Sequence, residues 1–378
     1  MTPLPGRGAT GGTLLDRWEA LGRPLARLPR WAAALVLALL AAAMAWSAFA
    51  TAPIDRAERA RSDQAEAAPE RSDGKGKGDL ALYNRIADRV AAGEAYHAAA
   101  MDEHRASNYP TRPFITVRQP TLAWLQALIG VGGVRYLEMG LVLACLVALN
   151  ARLAGLVSLP ERAAALLLMT LGGAAVSVPL AGLIHELWAG LWLTLALLIY
   201  RPERWWPALI AAAAAIAVRE LAVHFVLLWL AFAIVGRRWR EAAAVAGLLA
   251  VFAIGMGLHA SAVESLRLPG DPASQGWDAL SGYRMPLLAL ARLTGLLLLP
   301  LHIAAPIAVL PLIGWLGLGG RFGLFAALWF AGLATMIALF ARPENFYWAQ
   351  LGLPAYGIGL AFVPRALADL TGRLARQT

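Results

Sequence analysis

Runs of about 20 apolar residues recur along this chain, and they limit what it can fold into. The first covers residues 31–50, and others follow one another after residue 130 with short polar turns between them. Within the hydrocarbon core of a bilayer, a helix of this length satisfies its own backbone hydrogen bonds. Charged residues make up 15% of the 378, against about 25% in soluble domains. The sequence therefore predicts an all-α polytopic membrane protein with about ten transmembrane helices.

Basic residues outnumber acidic ones by a net charge of +9, and their placement indicates topology rather than nucleic-acid binding. Arginines cluster in the N-terminal tail, at the C-terminus and in alternate turns, as they do in cytoplasmic segments of membrane proteins. This pattern predicts a multi-pass protein of a bacterial inner membrane with both termini cytoplasmic. We expect membrane lipids, and no nucleic acid, among its partners. Cys145 is the only cysteine, which excludes an intrachain disulfide and a cysteine-based zinc cluster.

The alternation of apolar and polar segments divides the chain into five predicted parts. They are a cytoplasmic basic N-terminal tail (1–30), a first transmembrane helix (31–50), an extracytoplasmic loop with interfacial helices (51–130), a transmembrane helical domain (131–365) and a cytoplasmic tail (366–378). Residues 51–78 are expected to form a flexible polar linker. In the helical domain, 163–183 and 349–363 are expected to be spans. Residues 285–297 either lie flat on the outer surface or form the first of two short spans.

Residues 79–124 form the one long polar segment that carries its own helical pattern. Its apolar residues recur at helical spacing on one face, at Leu80, Tyr83, Ile86, Ala87 and Val90. A second amphipathic stretch covers residues 98–104, and we expect His104 at its end and His97 just before it to be solvated rather than to bind metal. Residues 121–130 are apolar but too short to span, so they are expected to lie at the membrane interface.

Polar groups at the outer ends of later spans are the best candidates for a site, because ionisable groups at membrane depth are costly. These groups are His185, Glu186, Arg219, Glu220, Arg342 and Tyr347. Arg112 and Arg118 lie in a proline-rich part of the loop, and the guanidinium fork suits a phosphate. Asp79 supplies a carboxylate suited to general-base activation of a hydroxyl. Together they favour transfer of a group from a lipid phosphate to a hydroxyl at the extracytoplasmic face.

Three stretches resemble the GT-C superfamily of integral-membrane glycosyltransferases, in particular its bacterial polyprenol-phosphate-sugar-dependent mannosyl- and arabinosyltransferases. The first is an acid followed by LxxYxxIAxxVxxGExY, which begins at Asp79 and includes Tyr83 and Tyr96. The second is YPTRPF with RQPTLAW, and the third is RPENFYWAQLGLP near the C-terminus. Many such enzymes carry two adjacent acids, whereas Gly78 and Leu80 flank the aspartate here. Because of this departure, the sequence does not decide whether the reaction needs a divalent cation, and we assign no metal ligand.

The resemblance implies a cell-envelope glycosyltransferase whose donor is a polyprenyl-phosphate-linked sugar and whose acceptor is a glycan or lipid hydroxyl. It implies that Asp79 deprotonates the acceptor, that Tyr83 and Tyr96 contribute to substrate binding, and that arginines hold the departing phosphate. A single displacement would invert the anomeric centre.

Each candidate residue also has a purely structural interpretation. Asp79 could be only the N-cap of the helix that starts at Leu80. Arg219 and Glu220 could simply neutralise each other. The role of His185 and Glu186 could be limited to capping and hydrogen bonding within a tight hairpin. Interface anchoring would account for Arg342 and Tyr347. For the whole protein, the competing hypotheses are a transporter or flippase of a lipid-linked or anionic substrate, and a non-catalytic membrane scaffold.

Overall fold

The computed structural model of the chain describes residues 12–66, 78–178 and 180–375. Eight α-helices form its N-terminal half: α1 (Leu14–Ala20), α2 (Arg30–Glu66), α3 (Asp79–Ala91), α4 (Tyr96–Ala106), α5 (Thr121–Leu153), α6 (Leu159–Gly172), α7 (His185–Ile199) and α8 (Trp206–Val218). Seven follow: α9 (Val223–Val235), α10 (Trp239–Ser265), α11 (Arg284–Leu293), α12 (Leu301–Leu318), α13 (Gly320–Phe340), α14 (Leu353–Tyr356) and α15 (Val363–Ala375). No β-strand occurs in these ranges, which confirms the predicted all-α class.

Five helical segments of the described residues are long and apolar enough to cross a membrane. They are Arg30–Thr51, Phe114–Leu153, Trp239–Ser265, Leu301–Leu318 and Gly320–Phe340. A sixth crossing results if Pro343–Leu351 and Leu353–Ala375, which meet at a 60° bend, form one broken span. The chain is therefore a helical, membrane-embedded protein. Ten spans stay a prediction.

Four consecutive helices, α6 to α9, are shorter than the roughly 20 residues that a bilayer crossing needs. They contain 14, 15, 13 and 13 residues. The predicted span 163–183 is broken, because α6 ends at Gly172 and 3₁₀ turns follow it. Twelve of the fifteen residues of α7 are buried, so protein rather than lipid surrounds this helix. Helix α7 therefore lies inside the helix bundle.

The first predicted span is present, but the helix that contains it extends well beyond it. Helix α2 continues to Glu66, whereas a flexible linker was expected from residue 51. The sequence after residue 51 is rich in alanine, arginine and glutamate, which favour helix even without a partner. The last part of the predicted linker, residues 67–77, lies outside the described residues.

A break at Gly130 separates the two parts of α5. Its backbone has φ 73° and ψ 159°, a conformation that glycine adopts without a steric penalty. The short helix predicted over residues 121–130 is thus distinct from the membrane span that follows. The break turns the chain from the polar segment into the bundle.

The C-terminal part of the chain differs in detail from the predicted elements. Residues 349–363 form two 3₁₀ segments around α14 instead of one straight span, because glycines and a proline interrupt the helical pattern. The predicted cytoplasmic tail is mostly α15, which buries Ala366 and Leu370 near α2 and α12. Helix α11 does not lie flat on the surface: six of its ten residues are buried.

Residues 78–118, here called the cap, cover one end of the helix bundle. Helices α3 and α4 pack with the start of α5 and the end of α10 through one apolar cluster: Leu82, Ile86, Tyr96, Ala100, Met101, Val117, Ala123 and Val263. The loop after α10 is tied to the cap, since Arg105 pairs with Asp271 at 2.8 Å and the amide of Thr111 donates to the Pro272 carbonyl at 2.9 Å. We call this the cap end. The opposite end, which carries α1 and α15, is the terminal end.

Candidate functional site

A cavity of about 550 Å³ opens beneath the cap. Its ionisable and polar lining residues come from the cap, from the turns before α9 and after α10, and from the segment after α13. They are Asp79, Tyr83, His104, Tyr109, Thr116, Arg118, Arg219, Glu220, Ser274, Arg342, Glu344, Asn345 and Tyr347. Asp79, Arg219 and Arg342, which lie far apart in the sequence, therefore share one cavity. Its wall carries three carboxylates and three arginines.

Asp79 is the first residue of α3, and its side chain does not cap the helix. Gly78 occupies the N-cap position with φ 141°, and no side-chain capping bond forms there. The Oδ1 atom of Asp79 instead accepts a hydrogen bond from the Tyr109 hydroxyl at 2.7 Å. Burial, together with this hydrogen bond, raises the pKa of Tyr109, so the hydroxyl stays protonated and donates. The capping interpretation is therefore wrong, and the carboxylate is oriented towards the cavity.

Two arginines and two glutamates form a buried cluster at the base of the cavity. Arg219 donates from Nε to Glu186 at 2.6 Å and from Nη1 to Glu220. Arg118 Nη2 lies 3.6 Å from the same Glu186 carboxylate. All four side chains are at most 11% exposed. Arg219 is thus paired with two protein carboxylates, and its pairing with Glu220 agrees with the structural interpretation of these two residues.

Arg118 is held less tightly than Arg219 by its partners. Its Nε donates to the Tyr83 hydroxyl at 3.0 Å, while its Nη2 is 3.5 Å from the Tyr347 hydroxyl. Tyr96 fixes the backbone here, because its hydroxyl donates to the Arg118 carbonyl at 2.5 Å. Among the described residues, none accepts a hydrogen bond from Nη1 of Arg118. Arg118 can therefore present donors to an anion, whereas Tyr96 only positions it.

Arg342 supplies a second cation with unused hydrogen-bonding capacity. Its Nη1 donates to Gln275 at 2.9 Å, whereas its Nε is buried without a partner among the described residues. The Glu344 carboxylate is 4.0 Å from that Nε, too far for a hydrogen bond. Asn345 donates to the Tyr347 hydroxyl at 3.3 Å and completes this wall.

Four predicted site residues do not line the cavity: Tyr96 and Glu186, described above, and Arg112 and His185. Arg112 is exposed and does not line the cavity; its carbonyl accepts from the Ser274 amide at 2.7 Å, which joins the cap to the next loop. His185 is buried beneath the cavity, where Nδ1 lies 3.1 Å from the Leu183 carbonyl and the ring packs edge-on against Tyr83. The geometry of His185 therefore agrees with a role in closing its turn. Because the loop pairing directs Arg112 outward, it lies apart from the other predicted arginines of the site, and its phosphate contact stays a prediction.

The structure adds two residues that sequence reasoning missed, Tyr109 and His104. His104 was expected to be solvated but is buried at the cavity wall. Its Nδ1 lies 2.9 Å from the Pro110 carbonyl, and its Nε2 has no partner among the described residues. Burial lowers the pKa of His104 to about 4, so at neutral pH Nδ1 donates and Nε2 is a free acceptor. The tyrosine-proline step after α4 was the only sequence signal near either residue.

Within the described ranges, no group of three or more His, Cys, Asp or Glu side chains is arranged to hold a metal ion. The cavity does combine a half-buried carboxylate, a neutral histidine and two incompletely paired arginines within one enclosure. An acid-base group beside cations can deprotonate a hydroxyl and stabilise an anionic leaving group.

Comparison with known proteins does not assign this chain to a family: no protein-family model, no curated protein sequence and no solved structure matches it.

Proposed function

We propose that the protein is a GT-C-like membrane glycosyltransferase that moves a sugar from a polyprenyl-phosphate donor to a hydroxyl of a glycan or lipid acceptor. The observation that carries the proposal is the shared cavity of Asp79, Arg118 and Arg342. A phosphate ester needs cations that are not fully neutralised, and a hydroxyl acceptor needs a base. Both requirements are met within one enclosure at the cap end, which we propose faces the extracytoplasmic side of a bacterial inner membrane.

In the proposed reaction, the Asp79 carboxylate takes the proton of the acceptor hydroxyl. The acceptor oxygen bonds to the anomeric carbon as the bond from that carbon to the phosphate oxygen breaks. The departing polyprenyl phosphate keeps the electron pair, and Arg118 and Arg342 stabilise its charge. Tyr109 holds the base in position through the 2.7 Å hydrogen bond. One displacement of this kind inverts the configuration at the anomeric carbon.

The ten-span topology belongs to this proposal. It requires α6 to α9, with 13 to 15 residues each, to cross as short helices inside the bundle. Short or interrupted helices with polar ends are found where a membrane protein encloses a cavity. The buried Arg118–Glu186–Arg219 contacts lie at such ends.

The direct test is incubation of the purified protein with a panel of radiolabelled polyprenyl-phosphate sugars and a mixed glycan and lipid acceptor fraction. We expect one donor to lose its label to an acceptor in step with release of polyprenyl phosphate. Absence of both transfer and donor binding across the panel would overturn the proposal.

A second candidate function, a transporter for a lipid-linked anion, is favoured by one observation. A second cavity lies at the terminal end, and the two come close at the start of α9, where Leu221, in the 3₁₀ turn before the helix, lines the first and Phe225 lines the second. These residues are one helical turn apart, about 6 Å along the axis. Reconstitution in liposomes with a fluorescent polyprenyl-phosphate sugar separates the functions. Transport moves the intact donor between leaflets, whereas a transferase consumes it.

A further inference from the structure

We propose that the terminal-end cavity binds the phosphate monoester headgroup of a membrane lipid. The inference is independent of the glycosyltransferase proposal, because the two cavities contact opposite ends of α13. One is lined by Phe340 and the other by Gly320 and Arg321. The outer rims of the two cavities thus lie about 30 Å apart along this 21-residue helix, although the interiors approach each other near Leu221 and Phe225.

The terminal-end cavity has an apolar interior of a size that suits a lipid chain. Its volume is about 750 Å³, and it extends between α5, α7, α9 and α13. Aromatic side chains line its depth, including Phe225, Trp229, Phe232 and Phe325. Phe225 and Phe232 are seven residues apart on α9, which gives the apolar wall a length of about 10 Å. An interior of this composition favours the hydrocarbon part of an amphiphile.

Helix α1 closes this cavity at the terminal end and fixes its rim. The indole nitrogen of Trp18 donates to the Gly320 carbonyl at 3.0 Å. Gly319 has φ 77°, and a Cβ atom there would collide with the Gly22 carbonyl, so the close approach of α1 requires glycine. The rim is therefore a built part of the fold.

The rim carries an excess of positive charge, because five arginines and two glutamates line the cavity. Four arginines pair with acids that do not line it: Arg23 with Asp369, Arg238 with Glu241, Arg321 with Asp16, and Arg365 with Glu161. Of the two lining acids, Glu203 is exposed and Glu19 accepts from the Arg321 amide at 2.5 Å. These ion pairs hold the four arginines at the cavity wall, while their partner acids lie outside the lining.

Arg152 is the lining arginine that pairs with no carboxylate among the described residues. Its Nη1 donates to the Tyr200 carbonyl at 3.1 Å, and its guanidinium carbon lies 4.6 Å from the Phe322 ring centroid. Its Nε is buried and has no partner in the described part of the chain. A partly buried guanidinium whose Nε has no acceptor, and which no described carboxylate contacts, is stabilised by an anion that binds it directly. A lipid phosphate monoester fits both parts of the cavity: its phosphate would bind Arg152 at the rim, and its hydrocarbon chain would lie among the aromatic side chains of the interior.

The test uses the purified full chain in detergent with a phosphatidic acid that carries a photoactivatable group in one acyl chain. We expect covalent labelling of peptides that contain Phe225, Trp229 or Phe325, and at least tenfold weaker labelling with the phosphatidylcholine analogue. Inorganic phosphate at the same concentration as the lipid should not displace the label. Equal labelling by both lipids would overturn the phosphate assignment, and displacement by inorganic phosphate would overturn the lipid assignment.

Substitutions locate the headgroup within the same assay. Arg152→Gln should reduce labelling by phosphatidic acid about tenfold or more, because a hydrogen-bonded charge is lost. Arg152→Lys should retain part of it, since the charge remains without the planar fork. Arg17→Gln, on the exposed face of α1 outside the cavity, is the matched control and should label like wild type. Labelling of Arg152→Gln at the wild-type level would contradict the proposal. If that variant fails to fold, comparing the labelling of wild-type protein by the two lipids still tests whether the cavity recognises the phosphate monoester.

Discussion

The two cavities contain similar residues but arrange their charges differently. At the cap end, acids and arginines share one wall, three of each, and Asp79 is held there by a tyrosine. At the terminal end, the acids that pair with the rim arginines lie behind them, and five arginines face the cavity with two glutamates. A wall with both signs of charge can move a proton and stabilise a leaving group. A wall with one sign in excess favours binding of an anion.

The largest expected difference concerns stability. Arg219→Met should destabilise the protein by about 3–5 kcal/mol, because Glu220 loses its buried partner and Glu186 keeps only the longer contact with Arg118. Arg365→Met at the terminal end breaks a more exposed pair with Glu161 and should cost roughly 1 kcal/mol or less. Chemical unfolding in detergent micelles measures both. Adding Glu186→Gln to the Arg219 variant should restore part of the loss. Equal stability of the two single variants would remove the distinction between the ends.

Acid should weaken the cap end through His104, and the terminal-end cavity has no histidine in its lining. The folded pKa of about 4 is below the ordinary value of 6.5, so between these values the unfolded chain binds the proton and the folded chain does not. The contribution to stability is complete above pH 6.5 and is lost as the pH falls towards 4, by about 3 kcal/mol in total. His104→Asn should therefore flatten the dependence of unfolding free energy on pH in this window. His97→Asn should flatten it less, since His97 is only half-buried. A wild-type slope in the His104 variant would contradict the assignment.

A reciprocal pair of arginine variants separates the two binding functions. Arg342→Gln should lower kcat/KM for the sugar donor roughly tenfold to a hundredfold, because a donor to a charged phosphate is lost, and should leave phosphatidic acid labelling unchanged. Arg152→Gln should do the reverse. Arg112→Gln is the matched control at the cap end, since Arg112 is exposed outside the cavity. If Arg342→Gln and Arg112→Gln gave the same kinetics, Arg342 would have no part in donor binding.

The smallest expected effect is on the orientation of the base. Tyr109→Phe removes the hydroxyl that donates to Asp79 at 2.7 Å and should lower kcat by about threefold to tenfold. Tyr136→Phe is the control, because the side chain of Tyr136 is exposed outside the cavity. Initial rates with saturating donor measure the difference. A larger loss than that of Arg342→Gln would show that Tyr109 contacts the substrate directly.

The helical class, part of the apolar face of α3 and the grouping of Asp79, Arg219 and Arg342 could be predicted, because each depends on patterns that the sequence carries; Leu82, the most buried residue of α3, was missed. Helical spacing defined α3, and the alternation of spans placed distant polar groups at one end. The lengths of α6 to α9 were less accessible. An apolar run looks the same whether lipid or protein buries it, and α7 is buried by protein.

The errors within the site have a common physical origin. Arg112 and Arg118 lie in the same irregular segment, where no periodicity decides which side chain faces inward. Backbone pairing with the loop after α10 turns Arg112 outward, and that pairing is tertiary. His104 and Tyr109 likewise enter the cavity only because α4 packs against α3. Without these tertiary contacts, the sequence of the cap predicted solvated side chains where the structure buries them.

The most direct test of the central claim is transfer by Asp79→Asn in the donor assay, beside Asp88→Asn. Both substitutions remove one carboxylate from α3, but Asp88 is exposed and bonds only to Asn84 among the described residues. The amide oxygen introduced by Asp79→Asn would still accept a hydrogen bond from Tyr109, and Asp79 does not cap the helix, so folding should be retained in both variants. The account predicts that Asp79→Asn lowers kcat about 10²–10⁴-fold while Asp88→Asn transfers at the wild-type rate. Wild-type transfer by a well-folded Asp79→Asn protein would contradict it.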